Sequence, residues 1–132
     1  METRVDLKFL QNDQFEIVAA TNQVTITVDK KKEGVPASGP NPLELFLSSL
    51  ASCVGVYALR YLSSHTISFS TLSVRATADF SPEPPARLGN IKLAVLTDAA
   101  LEDKKEVFLR FIRNCPIHNT VMHTSKVSID LA

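Results

Sequence analysis

Hydrophobic and polar positions change period several times along this chain, and each change marks an element. Val5, Leu7 and Phe9 alternate with Arg4, Asp6 and Lys8, the period of a half-buried strand. Asn12 and Asp13 supply a turn, and Phe15 to Ala20 runs back antiparallel. After Thr21 and Asn22 the stretch Val24 to Val28 (VTITV) reads as a third strand, so the N-terminus is predicted to be a β-meander. Lys30 to Pro40 contains Gly34, Pro36, Gly39 and Pro40 and reads as a loop, long for a compact domain and of the kind that is often functional.

The period then turns helical from Asn41 to Leu62, NPLELFLSSLASCVGVYALRYL. An Asn side chain accepts first-turn amides, Pro is tolerated at the first helical position, and Glu44 completes the spacing of a capping box with Asn41. Leu43, Phe46, Leu47, Leu50, Val54, Tyr57 and Tyr61 cover one side, while Leu45, Val56, Leu59 and Leu62 cover much of the rest. A helix apolar most of the way round is expected to be buried most of the way round. His65 and Thr66 end it. Leu72, Val74, Ala76, Ala78 and Phe80 then alternate with polar residues, and a proline-rich connection (Ser81 to Gly89) leads into a second alternating run, Asn90 to Thr97, predicting a hairpin. Asp98 is expected to cap a second helix, in which Leu101, Lys105, Phe108, Phe111, Ile112 and Cys115 fall at helical spacing until Pro116 interrupts it. Lys126 to Leu131 reads as a last strand. The order of three strands, helix, two strands, helix and strand predicts an α+β fold in one domain, residues 1–132.

Composition narrows the possible roles. A chain of 132 residues buries roughly two thirds of its unfolded surface and needs no staples. Formal net charge is zero and the pI is about 6.8, which removes the phosphate-neutralising surface of a nucleic-acid binder. Lys30, Lys31 and Lys32 are followed at once by Glu33 and read as a solvated loop. No charged and apolar leader follows Met1, so a cytosolic protein is expected. The helix carries Glu44, Ser48, Ser49 and Ser52, and its apolar run falls short of the ~20 residues of a membrane span; it is read as a core helix. Neither a phosphate loop, nor a nucleophile elbow, nor paired zinc spacing occurs, so nucleotide-dependent chemistry, serine-hydrolase chemistry and a structural zinc site are not supported.

The candidate chemistry is in two cysteines. Pro116 can begin a new short helix, which places Cys115 at its N-cap, where amides and peptide dipoles stabilise a thiolate. Cys53 sits mid-helix among Leu and Val with no such help from its own helix, so its thiol pKa is expected to be raised unless tertiary structure brings a charge to it. Each cysteine alone also reads as a buried core thiol, and Glu44 as a cap and nothing more. His118, three residues after Cys115, either orients or deprotonates a thiol or is a partly exposed surface histidine; His65 and His123 read as end-of-element residues.

Taken together, NPLELFLSSLASC (Asn41 to Cys53) and CPIHNTV (Cys115 to Val121), in this element order and length, resemble the OsmC/Ohr superfamily of peroxide-handling proteins, over essentially the whole chain. CPIHNT is more similar to the OsmC-like branch than to the organic hydroperoxide resistance branch. The resemblance implies an intertwined homodimer with the central helices buried together and two active sites at the subunit interface. It implies that Cys53 is the peroxidatic thiolate and that Cys115 resolves its sulfenic acid to a disulfide. External dithiols, lipoyl groups in some members, then reduce the pair without metal or cofactor. It also implies an arginine on the N-terminal sheet against the thiolate, held by a glutamate at the helix start. The meander offers only Arg4, which leaves that arginine unassigned, and Glu44 lies one residue beyond the glutamate position of the hydroperoxide resistance branch.

Two functions of different class follow. The first is a thiol peroxidase, part of an oxidative stress response, reducing organic hydroperoxides, with hydrogen peroxide as a further candidate substrate, through Cys53 and Cys115, with Glu44 as a third catalytic residue. The alternative is a non-peroxidatic protein of the same scaffold that binds a small apolar ligand at the dimer interface.

Overall fold

The structure is a computed structural model that describes residues 2–19, 25–29, 32–123 and 126–131. The chain gathers into two compact units, residues 1–46 and 47–132.

The first unit is the expected meander. Strands β1 (Val5–Phe9), β2 (Phe15–Ala19) and β3 (Thr25–Val28) pair antiparallel in chain order, with Leu7 opposite Ile17 and Ile17 opposite Ile26. Val24 lies outside the described residues, as do Lys30 and Lys31. The β1–β2 turn places Asn12 and Asp13 at φ of 47° and 66°, in the left-handed region that Asn and Asp tolerate best among residues with a side chain. Lys32 donates to the Asn12 carbonyl at 2.7 Å and lies 3.6 Å from the Asp13 carboxylate, so this member of the basic run secures the turn.

Asp29 gathers the loop after β3. Its Oδ2 accepts the Ser38 amide at 2.7 Å and the Ser38 hydroxyl at 2.8 Å, and its own amide donates to the Pro40 carbonyl at 3.1 Å. The Ser38 amide and hydroxyl hold its pKa below the usual carboxylate value. Gly39 passes so close to β3 that an added Cβ would collide with the Thr27 carbonyl oxygen. The long loop is therefore stapled to the sheet by side chains.

Helix α1 (Pro42–Ser64) starts with the predicted capping box: the Glu44 amide donates to Asn41 Oδ1 at 2.9 Å, and the Asn41 amide donates to Glu44 Oε1 at 3.1 Å. Thr66, at φ 54°, turns the chain out of the helix.

In the second unit, β4 (Leu72–Phe80) and β5 (Leu88–Thr97) form the expected antiparallel hairpin, irregular between Thr77 and Asp79. Alternate residues of β4 (Leu72, Val74, Ala76) and β5 (Leu93, Val95) are half-buried while those between face out, as the period of two requires. The inner residues pack on one side of α1. Val54, Ala58, Tyr61 and Leu62 join Phe108, Ile112 and Cys115 in one buried cluster, with Leu72, Val74, Leu93 and Val95 packed against it. Gly55 lets β4 come close, for a Cβ there would touch Val74 Cγ2 at 3.6 Å. Away from this cluster, Val56 and Leu59 of α1 are about half exposed, so the expectation that the helix is buried most of the way round is not met.

Two expectations fail. Asp98 caps nothing in α2; its Oδ1 accepts the Ser70 and Thr71 amides at 2.8 and 2.9 Å, which hold its pKa below the usual carboxylate value. A 3-10 turn (Glu102–Lys104) without a side-chain cap leads into α2 (Lys105–Ile112) instead. The predicted last strand does not form. Residues 126–131 lie outside every sheet, with Val127, Ile129 and Leu131 fully open to solvent. Alternation supplies the two faces of a strand, but a strand also needs a neighbour to take its backbone groups, and this chain offers the segment none among the described residues.

Candidate functional site

The site begins with a break in a helix. Residues preceding proline are pushed out of the α region, and Cys115 accordingly adopts φ −62°, ψ 135° between α2 and α3 (Pro116–Met122). Pro116 occupies the first position of α3, where its missing N–H costs nothing, and Cys115 becomes the N-cap as predicted. Its Sγ accepts the His118 amide at 3.3 Å, an unusual cap because sulfur replaces the usual oxygen. Cys115 is completely buried.

Cys53, half-buried in the middle of α1, faces the same junction. It lies close enough to the Cys115 thiol and to the Ile117 amide of α3 for both to act on its ionisation. The start of α3 thus bears on both sulfurs: the His118 N–H bonds Cys115, and the Ile117 amide favours the anionic form of Cys53. Both cysteines are free thiols. Burial, reinforced by the Cys115 thiol, pushes the Cys53 thiol above the ordinary cysteine value, while the Ile117 amide and the Arg60 charge pull it back. The balance agrees with the sequence expectation for a thiol set among Leu and Val.

Around the pair the wall is apolar and aromatic. Tyr57, one turn after Cys53, packs on Phe111 with ring centroids 5.6 Å apart, and Tyr61 meets Phe108 edge-on at 5.3 Å. Beside the thiols lies a cavity of about 200 Å³ walled by Val54, Leu93, Val95, Leu109 and Ile112, with Arg113 and His118 completing it. The cavity has the size of a small organic molecule's apolar part, and neither cysteine lines it.

Glu44 is the reciprocal cap of α1, its carboxylate accepting the Asn41 amide. His118 contributes its backbone N–H to a sulfur, while its ring Nδ1 is buried with no hydrogen-bond partner among the described residues. His65 and His123 are helix-end residues as expected, each with Nδ1 at 2.9 Å from the carbonyl four residues earlier. Sequence reasoning missed the Ile117 amide and Arg60. The first had no side-chain signature; the second had one, its spacing of seven from Cys53.

This fold and cysteine pair define a class that sequence comparison names. The profile of OsmC-like proteins matches residues 34–130, and the chain belongs to the OsmC-like protein family. A hydroperoxide reductase of Mycoplasma genitalium is 27% identical over 138 residues, covering 100% of this chain and 96% of the relative. The hydroperoxide reductase of Mycoplasma pneumoniae is 26% identical over 137 residues, covering 99% and 96%. Among solved structures, the crystal structure of an OsmC-like protein from Mycoplasma pneumoniae matches with a TM-score of 0.79 at 23% identity, over 92% of this chain and 88% of that one; the likeness is one of fold.

Proposed function

We propose that the protein is a cytosolic, homodimeric thiol peroxidase that reduces organic hydroperoxides through Cys53 and Cys115. The observation that carries this reading is the pairing of two free thiols at one helix N-terminus. The two relatives named hydroperoxide reductase support the substrate class. In the reaction, the Cys53 thiolate attacks the terminal peroxide oxygen, the O–O bond breaks, and the alkoxide leaves and takes a proton to become the alcohol. The sulfenic acid left on Cys53 is attacked by the Cys115 sulfur, water departs, and a disulfide forms. A dithiol reductant of lipoyl type returns both thiols. The α3 amides favour the anionic state of each sulfur when its turn comes. A second copy would cover the open side of α1 at Val56 and Leu59 and the exposed alternating residues of 126–131, and two free thiols fit a reducing compartment.

The test is intact mass with thiol counting after one equivalent of cumene hydroperoxide, run beside hydrogen peroxide. Loss of both thiols with a mass decrease of about two daltons, one hydrogen from each thiol, supports the reading. Two unreacted thiols overturn it and leave the scaffold as a binder of a small apolar ligand, which native mass spectrometry would then detect.

A further inference from the structure

Arg60 follows Cys53 by seven residues in α1, about two turns along one face of the helix. Side chains on a helix lean toward its N-terminus, so a long one here reaches back across the preceding turn toward Cys53. Arg60 does so: its guanidinium carbon lies 5.1 Å from the centroid of the Tyr57 ring. Tyr57 sits four residues from Cys53 and is fixed on its inner side by Phe111, at 5.6 Å. The ring is thus a platform that is anchored to the core below and carries a cation above, an arrangement that holds guanidinium groups in place even at exposed sites.

That cation is not taken up elsewhere. No carboxylate lies within ion-pair distance of Arg60 among the described residues. Arg60 is the charged group acting on Cys53 among those that shift its ionisation, beside the Cys115 thiol and the Ile117 amide; Cys53 itself packs against the apolar cluster of Phe108, Ile112 and Cys115.

We propose that Arg60, held over Tyr57, is the positioning residue that supplies positive charge to the Cys53 thiolate and draws anionic reactants to it. The proposal rests on Cys53 being the reactive thiol. It requires no reaction beyond ionisation, in which the Cys53 proton leaves to water and the sulfur keeps the electron pair. The Arg60 charge also acts on Cys53 in the direction this role needs.

The experiment uses a Cys115→Ala background, in which Cys53 is the remaining thiol, and alkylates it with neutral iodoacetamide and anionic iodoacetate from pH 6 to 10 at low salt. Arg60 is exposed, so Arg60→Met is expected to fold normally. It should slow iodoacetamide at pH 7 by about two- to five-fold, the range of a single exposed charge interaction, and move the rate profile to higher pH. It should slow iodoacetate more than iodoacetamide. Arg60→Lys should restore most of both effects, and salt should shrink the difference. Superimposable profiles for Arg60→Met and the parent at low salt overturn the proposal. If Cys115→Ala does not fold, the same variants are compared in the intact chain by following the Cys53 peptide, with the same expected and overturning results. Because no peroxide is used, an outcome here is independent of whether the protein turns over hydroperoxide.

Discussion

The two cysteines meet at one helix N-terminus but reach it by opposite routes. At the α2–α3 junction the whole setting of Cys115 is local: Pro116 forces the extended backbone, starts the helix and leaves the His118 amide for the sulfur. In the middle of α1, Cys53 has a helical backbone with no free amide of its own. What it experiences comes from the junction, from Arg60 and from burial. The local site is specified by three or four consecutive residues, whereas the tertiary one exists only while α2 and α3 are packed on α1. One cysteine is therefore expected to keep its environment when packing loosens, and the other to lose it.

The largest effect expected separates the two by role. Cys53→Ser should abolish peroxide consumption, while Cys115→Ser should consume about one equivalent per chain and then stall as a sulfenic acid that dimedone traps. Normal turnover by Cys53→Ser would reverse the assignment. Next in size is Phe108→Ala, which removes a ring that is buried against Tyr61. It should cost about 3–5 kcal/mol in urea unfolding, and the Cys53 rate profile should move toward that of an ordinary thiol as the junction loosens. A cost below about 1 kcal/mol would mean that α2 is not what holds the junction in place.

This division also explains how much could be read in advance. The meander, the capping box, the hairpin and the Cys115 cap were all legible because each depends on residues a few positions apart. Asp98 misled because a carboxylate before a helical run has a cap's sequence signature, yet the Ser70 and Thr71 amides across the hairpin claimed it. Lys126 to Leu131 misled because period two describes a strand's faces and not its partner. For the site, Cys53 and Cys115 were visible as residue types, but their proximity and the influence of the Ile117 amide depend on how α3 meets α1. The Arg60–Tyr57–Cys53 row was present in the spacing and was hidden by the general apolar character of the helix.

Smaller, and specific to Cys53, is the response to alkali. An ordinary thiol is about 3% ionised at pH 7, and Cys53 is shifted to less. Its alkylation rate should climb close to tenfold per pH unit and keep climbing above pH ~8.5, where a model thiol levels off. Stability changes in the opposite sense. Because the folded state prefers the neutral thiol, its contribution is fully present below the unfolded pKa and is lost as pH rises beyond it. Cys53→Ser should remove that alkaline loss, as followed by thermal unfolding between pH 7 and 10. A parent curve identical to the variant's would show that burial does not disfavour the thiolate. On the acid side, Asp29 and Asp98 have lowered pKa values, so their contribution is present above the usual carboxylate range and is lost as pH falls through it.

The smallest effect on stability is the most informative about Glu44. Its Oε1 accepts the Asn41 amide, a bond that Gln can also accept because its amide oxygen occupies the same place. Glu44→Gln should therefore change stability by no more than a few tenths of a kcal/mol, the residue's contribution to the helix dipole at an exposed first turn. Asn41→Ala, which removes the other half of the box, should cost about 1 kcal/mol. If Glu44 is only a cap, peroxide turnover should follow stability and be unchanged in Glu44→Gln. A fall in turnover of tenfold or more (about 1.4 kcal/mol in barrier) with unchanged stability would show that the carboxylate's charge acts in the reaction, beyond anything the capping box requires.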